Sequence, residues 1–404
     1  MTTITDPPRE TFRLSMLLND TRYRSMTFQA IAAILLALSI MYLGNNLLQN
    51  LRAAGLNIAY DFLGDPAGYD INQTLIEYDS QSSHARAAIV GVLNTLLVAF
   101  LACLTATVFG VIAGVLRLSN NWLVSKLMSF YVEIFRNIPV LIWIIIIFTI
   151  MTAVMPAPRA FRGDEPEATM LLGLFAFTNR GVYIPAPIWG PGSVVVVATF
   201  VASVIGAIGY RRYATKLLYD TGRLLPMGWP SLAILLLPTI VMFFIMGRPI
   251  GLDVPELGGF NFRGGIQIGA PLIALWFALS IYTGAFIAEN VRAGIQAVSK
   301  GQTEAAGALG LRPGRIMNLV VLPQALRVII PPLISQYLNI TKNSSLAIAV
   351  GYADITATLG GITLNQTGRA IECVLLLMLF YLTISLSISA VMNVYNNSVK
   401  LKER

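Results

Sequence analysis

Apolar runs of about twenty residues, enough to cross a hydrocarbon core about 30 Å thick, recur along this chain. Inside lipid every backbone N–H and C=O must be satisfied within the segment, so runs of this length fold as helices. Eight candidate spans result: 27–48, 87–116, 130–154, 193–210, 231–247, 267–288, 329–350 and 370–393. Only 12% of the residues are charged, against about 25% in soluble domains. The fold class is therefore an all-α polytopic membrane protein with about eight transmembrane helices. The spans at 193–210 and 231–247 are short, and the second carries Pro238. The span at 329–350 is unusual in holding Pro331, Pro332, Gln336, Asn339, Lys342 and Asn343.

An even number of crossings puts both termini on one side. The loops on that side hold eighteen basic residues, from Arg9 to Arg404, and the opposite loops hold eight. Cytoplasmic loops collect Lys and Arg, so both termini are expected in the cytoplasm. The net charge of +8 follows from this bias and needs no nucleic-acid partner. Both cysteines, Cys103 and Cys373, lie inside apolar runs, and the single histidine, His84, leaves no basis for a His-rich metal site. The first 26 residues are polar, and the first apolar run is long enough to span, so no cleavable signal peptide is expected. The long outer loops 49–86 and 155–192 read as solvated connectors or as a surface for an external partner.

Between the sixth and seventh spans the chain breaks into EAAGALGLRPGRIMNLVVLPQALR, residues 304–327. Ser299 and Gln302 have capping-box spacing, which starts a helix near Lys300. Gly310 supplies a left-handed stop, and Pro313 suits the first turn of a second short helix. Pro323 should disturb that helix before the seventh span. Ala305, Ala306 and Leu309 fall close together, with Glu304 at the same end. Such a helix fits a groove on another protein, or lies on lipid.

The run Glu304-Ala305-Ala306, three residues, Gly310, nine residues, then Val320-Val321-Leu322-Pro323 resembles the EAA loop of ABC importer permeases, with Val320 where that family has Ile. VEIFRNIPVLIWI (132–144), AFIAENVRAGIQAVSKGQTEAA (285–306), LPQALRVIIPPL (322–333) and TKNSSL (341–346) resemble stretches of the polar amino-acid branch. Asn343 and Ser344 stand where that branch has Asp and Thr. The additional spans resemble the long permease subunit of the general L-amino-acid importers of the Aap/Bzt type.

The resemblance implies an ABC type I importer permease core of five helices. The organisation is then residues 1–86, a cytoplasmic N-terminus, extra helix and periplasmic loop; 87–154, core; 155–266, an insertion with two extra helices; 267–396, core with the coupling loop 289–328; and 397–404, a cytoplasmic tail. It implies that Glu304, Ala305, Ala306, Leu309, Gly310 and Pro323 couple the chain to a separate ATPase subunit. It also implies a periplasmic amino-acid-binding protein, a second permease subunit forming a heterodimer, an inner-membrane location, and L-amino acids, polar and of broad specificity, as cargo.

The residues themselves suggest a pathway. Lys342 lies mid-span, where an unpaired charge costs about 3 kcal/mol or more, so it faces protein, water or an acidic partner. With Asn339, Asn343 and Ser344 it makes either a structural polar network or a translocation path. Glu289 and Arg292 are spaced to pair locally, or Glu289 holds a substrate amino group. Arg136 reaches lipid head groups, or it contacts the ATPase or Glu289 at an inner gate. The chain carries no G-x-x-x-x-G-K-S/T phosphate loop, so no cofactor is expected in it, and ATP and Mg belong to the partner ATPase. Two other readings are open: a secondary transporter driven by an ion gradient, and a membrane scaffold that transports nothing.

Overall fold

A computed structural model of the chain describes residues 21–55, 57–163 and 165–399 together with Leu18. Arg9, Arg13, Lys400, Lys402 and Arg404, which contribute to the expected cytoplasmic charge, lie outside the described residues, as do 1–17 of the N-terminal segment and 401–404 of the tail. The chain divides into two units, Met1–Asp61 and Phe62–Arg404. The first contains one long helix, α1 (Thr21–Ala53). The span within it, Tyr23–Ala53, has a mean hydropathy of 2.0 and buries nothing in the chain itself.

In the second unit the long helices are α2 (His84–Leu116), α3 (Trp122–Asn137), α4 (Val140–Val154), α5 (Ser193–Thr221), α6 (Gly228–Ile245), α7 (Ala270–Gln296), α9 (Leu322–Asn343) and α10 (Ala370–Val399), with a short α8 (Lys300–Ala308) between α7 and α9. Helix α7 is the axis, packing against α2, α3, α4 and α9. In lipid, helices gain nothing from leaving water, so close packing of small residues has to hold them. Gly110 and Gly114 of α2 meet α7 without side chains. A Cβ on Gly110 would fall 2.5 Å from Ile287 Cβ, and one on Gly114 would fall 2.7 Å from the Ala288 carbonyl oxygen. Above this contact Thr105 Oγ1 and Ser280 Oγ are 2.5 Å apart, and Trp276 Nε1 donates to Thr105 Oγ1. The enclosed core holds Val98, Ile144, Leu275, Leu279, Ile287 and Ile340.

The expected third span, 130–154, is not one helix. α3 and α4 meet at an angle of 106°. Ile138 precedes a proline, which excludes it from the helical region, and it is extended at φ −108°, ψ 131°. Pro139 accordingly stands at the N-cap position, just outside the first turn of α4. Fifteen residues of α4 reach only about 22 Å, so the crossing needs both halves of the bent pair. Among the described residues seven helices are long and apolar enough to cross a membrane, or eight spans if that pair is one.

The expected solvated connectors are structured. Residues 62–83 fold onto the N-terminal end of α2, with Phe62, Ala67 and Ile71 buried. Among the described residues, the segment 155–269 forms seven short strands, β1 (Ala176–Thr178), β2 (Gly181–Ile184), β3 (Ala186–Trp189), β4 (Ile250–Asp253), β5 (Glu256–Gly258), β6 (Asn261–Arg263) and β7 (Ile266–Gly269). β2 joins β1 to β7, β5 pairs β6, and β3 pairs β4 antiparallel from Ala186 opposite Asp253 to Trp189 opposite Ile250. The β3–β4 ribbon leads into α5 and α6, so the two extra helices are the continuation of one zipped hairpin. Helix α5 runs on through Arg211, Arg212 and Lys216, which the sequence reading placed in a loop.

Candidate coupling and translocation site

Helix α8 begins after Ser299, whose backbone is extended at φ −63°, ψ 139° but whose side chain caps nothing. The expected capping box is therefore not made. Gln302 instead accepts a hydrogen bond from Gln324 Nε2, which also donates to the Val320 carbonyl at 3.1 Å. This ties α8 to the head of the seventh span. The C-terminal end of α8 follows the glycine rule closely. Gly310 takes φ +77°, its N–H donates to Gly307 O at 2.9 Å, and the Leu311 N–H reaches back to Ala306 O at 3.3 Å. These two bonds are a Schellman motif, which satisfies carbonyls the helix end would otherwise leave open.

The face that α8 presents is smaller than the sequence suggested. Ala306 is buried at 6% exposure against the chain itself. Glu304, Ala305 and Leu309 point outward, and Leu309 is 82% exposed. Pro313 opens the next helical turn, as anticipated, but that turn belongs to one continuous element, Pro313–Val350, and is not a separate surface helix. A π-helical turn at Met317–Val321 sits just before Pro323. The widened turn accommodates the proline ring and its missing N–H without breaking the helix. Pro323 is exposed.

At the same end of the bundle three arginines converge on one carboxylate. Arg117 and Arg136 approach Glu289 Oε2, Arg136 at 3.8 Å, while Arg292 Nη2 lies 2.5 Å from Oε1. The Arg136 guanidinium also sits 5.3 Å from the centre of the Phe286 ring. Arg136 thus stands beside Glu289 while remaining 41% exposed. Both oxygens of Glu289 are engaged by arginines. Arg117 was missed as a site residue because it reads as a loop charge. Its signal was its position one residue past a long apolar run, where only a partner or a phosphate can receive it.

On α9, Ser335, Asn339 and Lys342 are all exposed and follow one another at spacings of four and three, a single helical stripe. Lys342 has no ion pair among the described residues. Asn343 is half-buried beside it. Ser344 is fully buried and its hydroxyl donates to Thr341 O at 2.7 Å, which removes it from the exposed stripe. Ser335 was not singled out from sequence, although its spacing to Asn339 would have identified it.

The opposite end is held by Asn94, fully buried, whose Nδ2 donates to Gln73 O at 2.8 Å and Ala353 O at 2.9 Å. Thr95 accepts from the Ile355 N–H. Asp354, also fully buried, accepts from the Ala357 N–H at 2.8 Å through Oδ1, while its Oδ2 has no partner among the described residues. Burial without a counter-charge pushes its pKa up to about 6. Neither Asn94 nor Asp354 was anticipated, although an amide inside an apolar run signals a buried partner.

The family described as binding-protein-dependent transport system inner membrane component matches residues 198–401. Among curated proteins the chain is 51% identical, over the full length of both, to the glutamate/glutamine/aspartate/asparagine transport system permease protein BztB of Rhodobacter capsulatus. It is 43% identical to the general L-amino acid transport system permease protein AapQ of Rhizobium johnstonii, covering 97% of this chain and 96% of that one. It is also 43% identical to the putative amino-acid ABC transporter permease protein YhdX of Escherichia coli K12, covering 98% and 99%. Likeness that runs from end to end includes the insertion and the extra helices as well as the core, and so the chain belongs to the binding-protein-dependent inner membrane components, among the amino-acid ABC transporter permeases.

Proposed function

We propose that this permease lines half of a path for polar L-amino acids of broad range, and that a second permease subunit supplies the other half. The observation that carries the reading is the stripe Ser335, Asn339 and Lys342, exposed along a membrane-spanning helix. A charged and an amide side chain facing hydrocarbon would be costly, so this face meets water, cargo or another polypeptide in the assembled transporter. A lysine in the path suits a substrate carboxylate. The cargo class is taken from the names of BztB and AapQ.

Drive comes from separate ATP-binding subunits that hold ATP and Mg. Leu309, Ala305 and Glu304 on α8 enter a groove on such a subunit, with Gly310 and Pro323 shaping the element. The Gln302–Gln324 bond carries its movement into α9. The inner cluster on Glu289 ties α2 and α7 together, so the core moves as one body. Both termini and α8 face the cytoplasm, the β-layer faces outward toward a binding protein, and the domains follow the limits given above.

Reconstitution of the complex in proteoliposomes tests this. Import should need the binding protein outside and ATP on the α8 side. Leu309→Asp should leave the permease folded while weakening retention of the ATPase by about tenfold or more, since a buried leucine contributes about 1.5–3 kcal/mol. Full-rate import with an ion gradient and no nucleotide would overturn the proposal.

A further inference from the structure

The inner end of the α5–α6 hairpin carries a groove of about 490 Å³ that no part of the transport reading uses. Its walls are apolar over Val204, Ile208, Leu232 and Leu235, and it ends at Arg211, Ser231 and Trp229. Ser231 is buried at 3% exposure, donates to Met227 O at 2.5 Å and accepts from Arg211 Nε at 3.3 Å. Arg211 is thus held at the mouth of the groove with its terminal nitrogens free of that bond. One helical turn further, Arg212, Lys216 and Tyr219 line an adjoining depression with Arg211 and Thr215. Residues 211–230 contain four basic side chains, Arg211, Arg212, Lys216 and Arg223, and one acidic, Asp220. Trp229 is 81% and Tyr219 84% exposed, aromatic rings at the level where a membrane helix leaves hydrocarbon. Helices α5 and α6 pack chiefly on each other, which leaves the groove open to the bilayer.

We infer that this groove binds one anionic phospholipid, its acyl chain lying between α5 and α6 and its phosphate received by Arg211, Arg212 and Lys216. The complementarity is double. An apolar slot continues directly into a cluster of cations, and an amphipathic anion satisfies both ends at once, where a free phosphate satisfies one and a zwitterionic lipid offers no net charge. Basic side chains beside a membrane surface each favour anionic lipid. The inference goes beyond the transport reading and does not depend on it, because the only requirement is that the hairpin stand in a bilayer.

The test is native mass spectrometry of the detergent-purified complex, titrated with phosphatidylglycerol or phosphatidylcholine. We expect one phosphatidylglycerol to be retained at least about tenfold more tightly than phosphatidylcholine. R211Q/K216Q should abolish that preference. Ala207→Phe, which fills the apolar wall and keeps every charge, should lower retention of both lipids. Glycerol phosphate and inorganic phosphate in excess should not displace the bound lipid. Equal retention of the two lipids, unchanged selectivity in R211Q/K216Q, or displacement by free phosphate would each overturn the site. Coupled import by the same preparation is measured in parallel, so loss of lipid selectivity with intact import is distinguished from a failed transporter.

Discussion

Arg117, at the end of α2, and Glu289, on α7, are 172 residues apart in the chain and are joined side chain to side chain at the end of the bundle that carries α8. Glu289 also holds Arg292 at 2.5 Å and stands 3.8 Å from Arg136, so one carboxylate neutralises a cluster in which cations outnumber it three to one. Glu289→Gln removes the only anion of the group and leaves the guanidinium groups to repel one another. With Glu289 24% exposed, the loss should fall between that of a surface pair and that of a buried one, on the order of 2 kcal/mol. Arg136→Gln, at a longer distance and a more exposed site, should cost far less. Thermal unfolding in detergent compares the two variants, and an equal effect would show that the cluster is not organised around Glu289.

Gly310 has φ +77°, and an added Cβ there would meet no atom within 4 Å. Any penalty for a side chain is therefore one of backbone conformation, about 1–2 kcal/mol. Gly310→Val should leave membrane insertion intact and raise the number of ATP molecules hydrolysed per amino acid imported. Gly310→Asn, a residue that tolerates the left-handed region, should stay close to wild type. Coupled stoichiometry identical in Gly310→Val would remove the Schellman turn from the coupling pathway.

Lys342→Gln and Ser344→Ala separate the exposed stripe from the polar residues behind it. Lys342 is exposed and Ser344 fully buried. The first change should reduce import by about tenfold or more while the complex still assembles, consistent with loss of a charge-assisted contact of about 1.5–3 kcal/mol. The second should leave the import rate nearly unchanged and act only on stability. Uptake of labelled amino acid into proteoliposomes, normalised to assembled complex, reads both.

Asp354 gives a pH dependence. Its folded pKa is raised from 3.8 to about 6 by burial, so the folded state binds the proton more tightly than the unfolded chain. Stability from this group is complete below 3.8 and is lost as pH rises to about 6, after which it is flat. Wild-type protein should then be about 1 kcal/mol less stable at pH 8 than at pH 5 through this residue. Asp354→Asn keeps the acceptor for the Ala357 N–H and should flatten that difference, with higher stability at pH 8. Denaturation midpoints at the two pH values measure it, and an unchanged slope in the variant would remove Asp354 as its source.

Hydrophobic run length alone determined the membrane class and the places of nearly all crossings, because lipid permits little other than helices at that length. Local rules likewise determined the turn at Gly310 and the helical start at Pro313, since each depends on the backbone freedom of a single residue. What depended on long-range contact was not legible. The bend at Ile138 and Pro139 was written in the pre-proline rule, but the apolar run around it masked the break. The strands of the insertion are three or four residues long, too short to show an alternating pattern, and the pairings β2–β7 and β3–β4 are made across the helical hairpin. The partners of Glu289, the inward turn of Ala306 and the burial of Ser344 were decided by which helix lies beside which. For Arg117 and Glu289 the neighbours are α2 and α7, which approach closely at Gly110 and Gly114, a matter of shape between two helices that neither states alone.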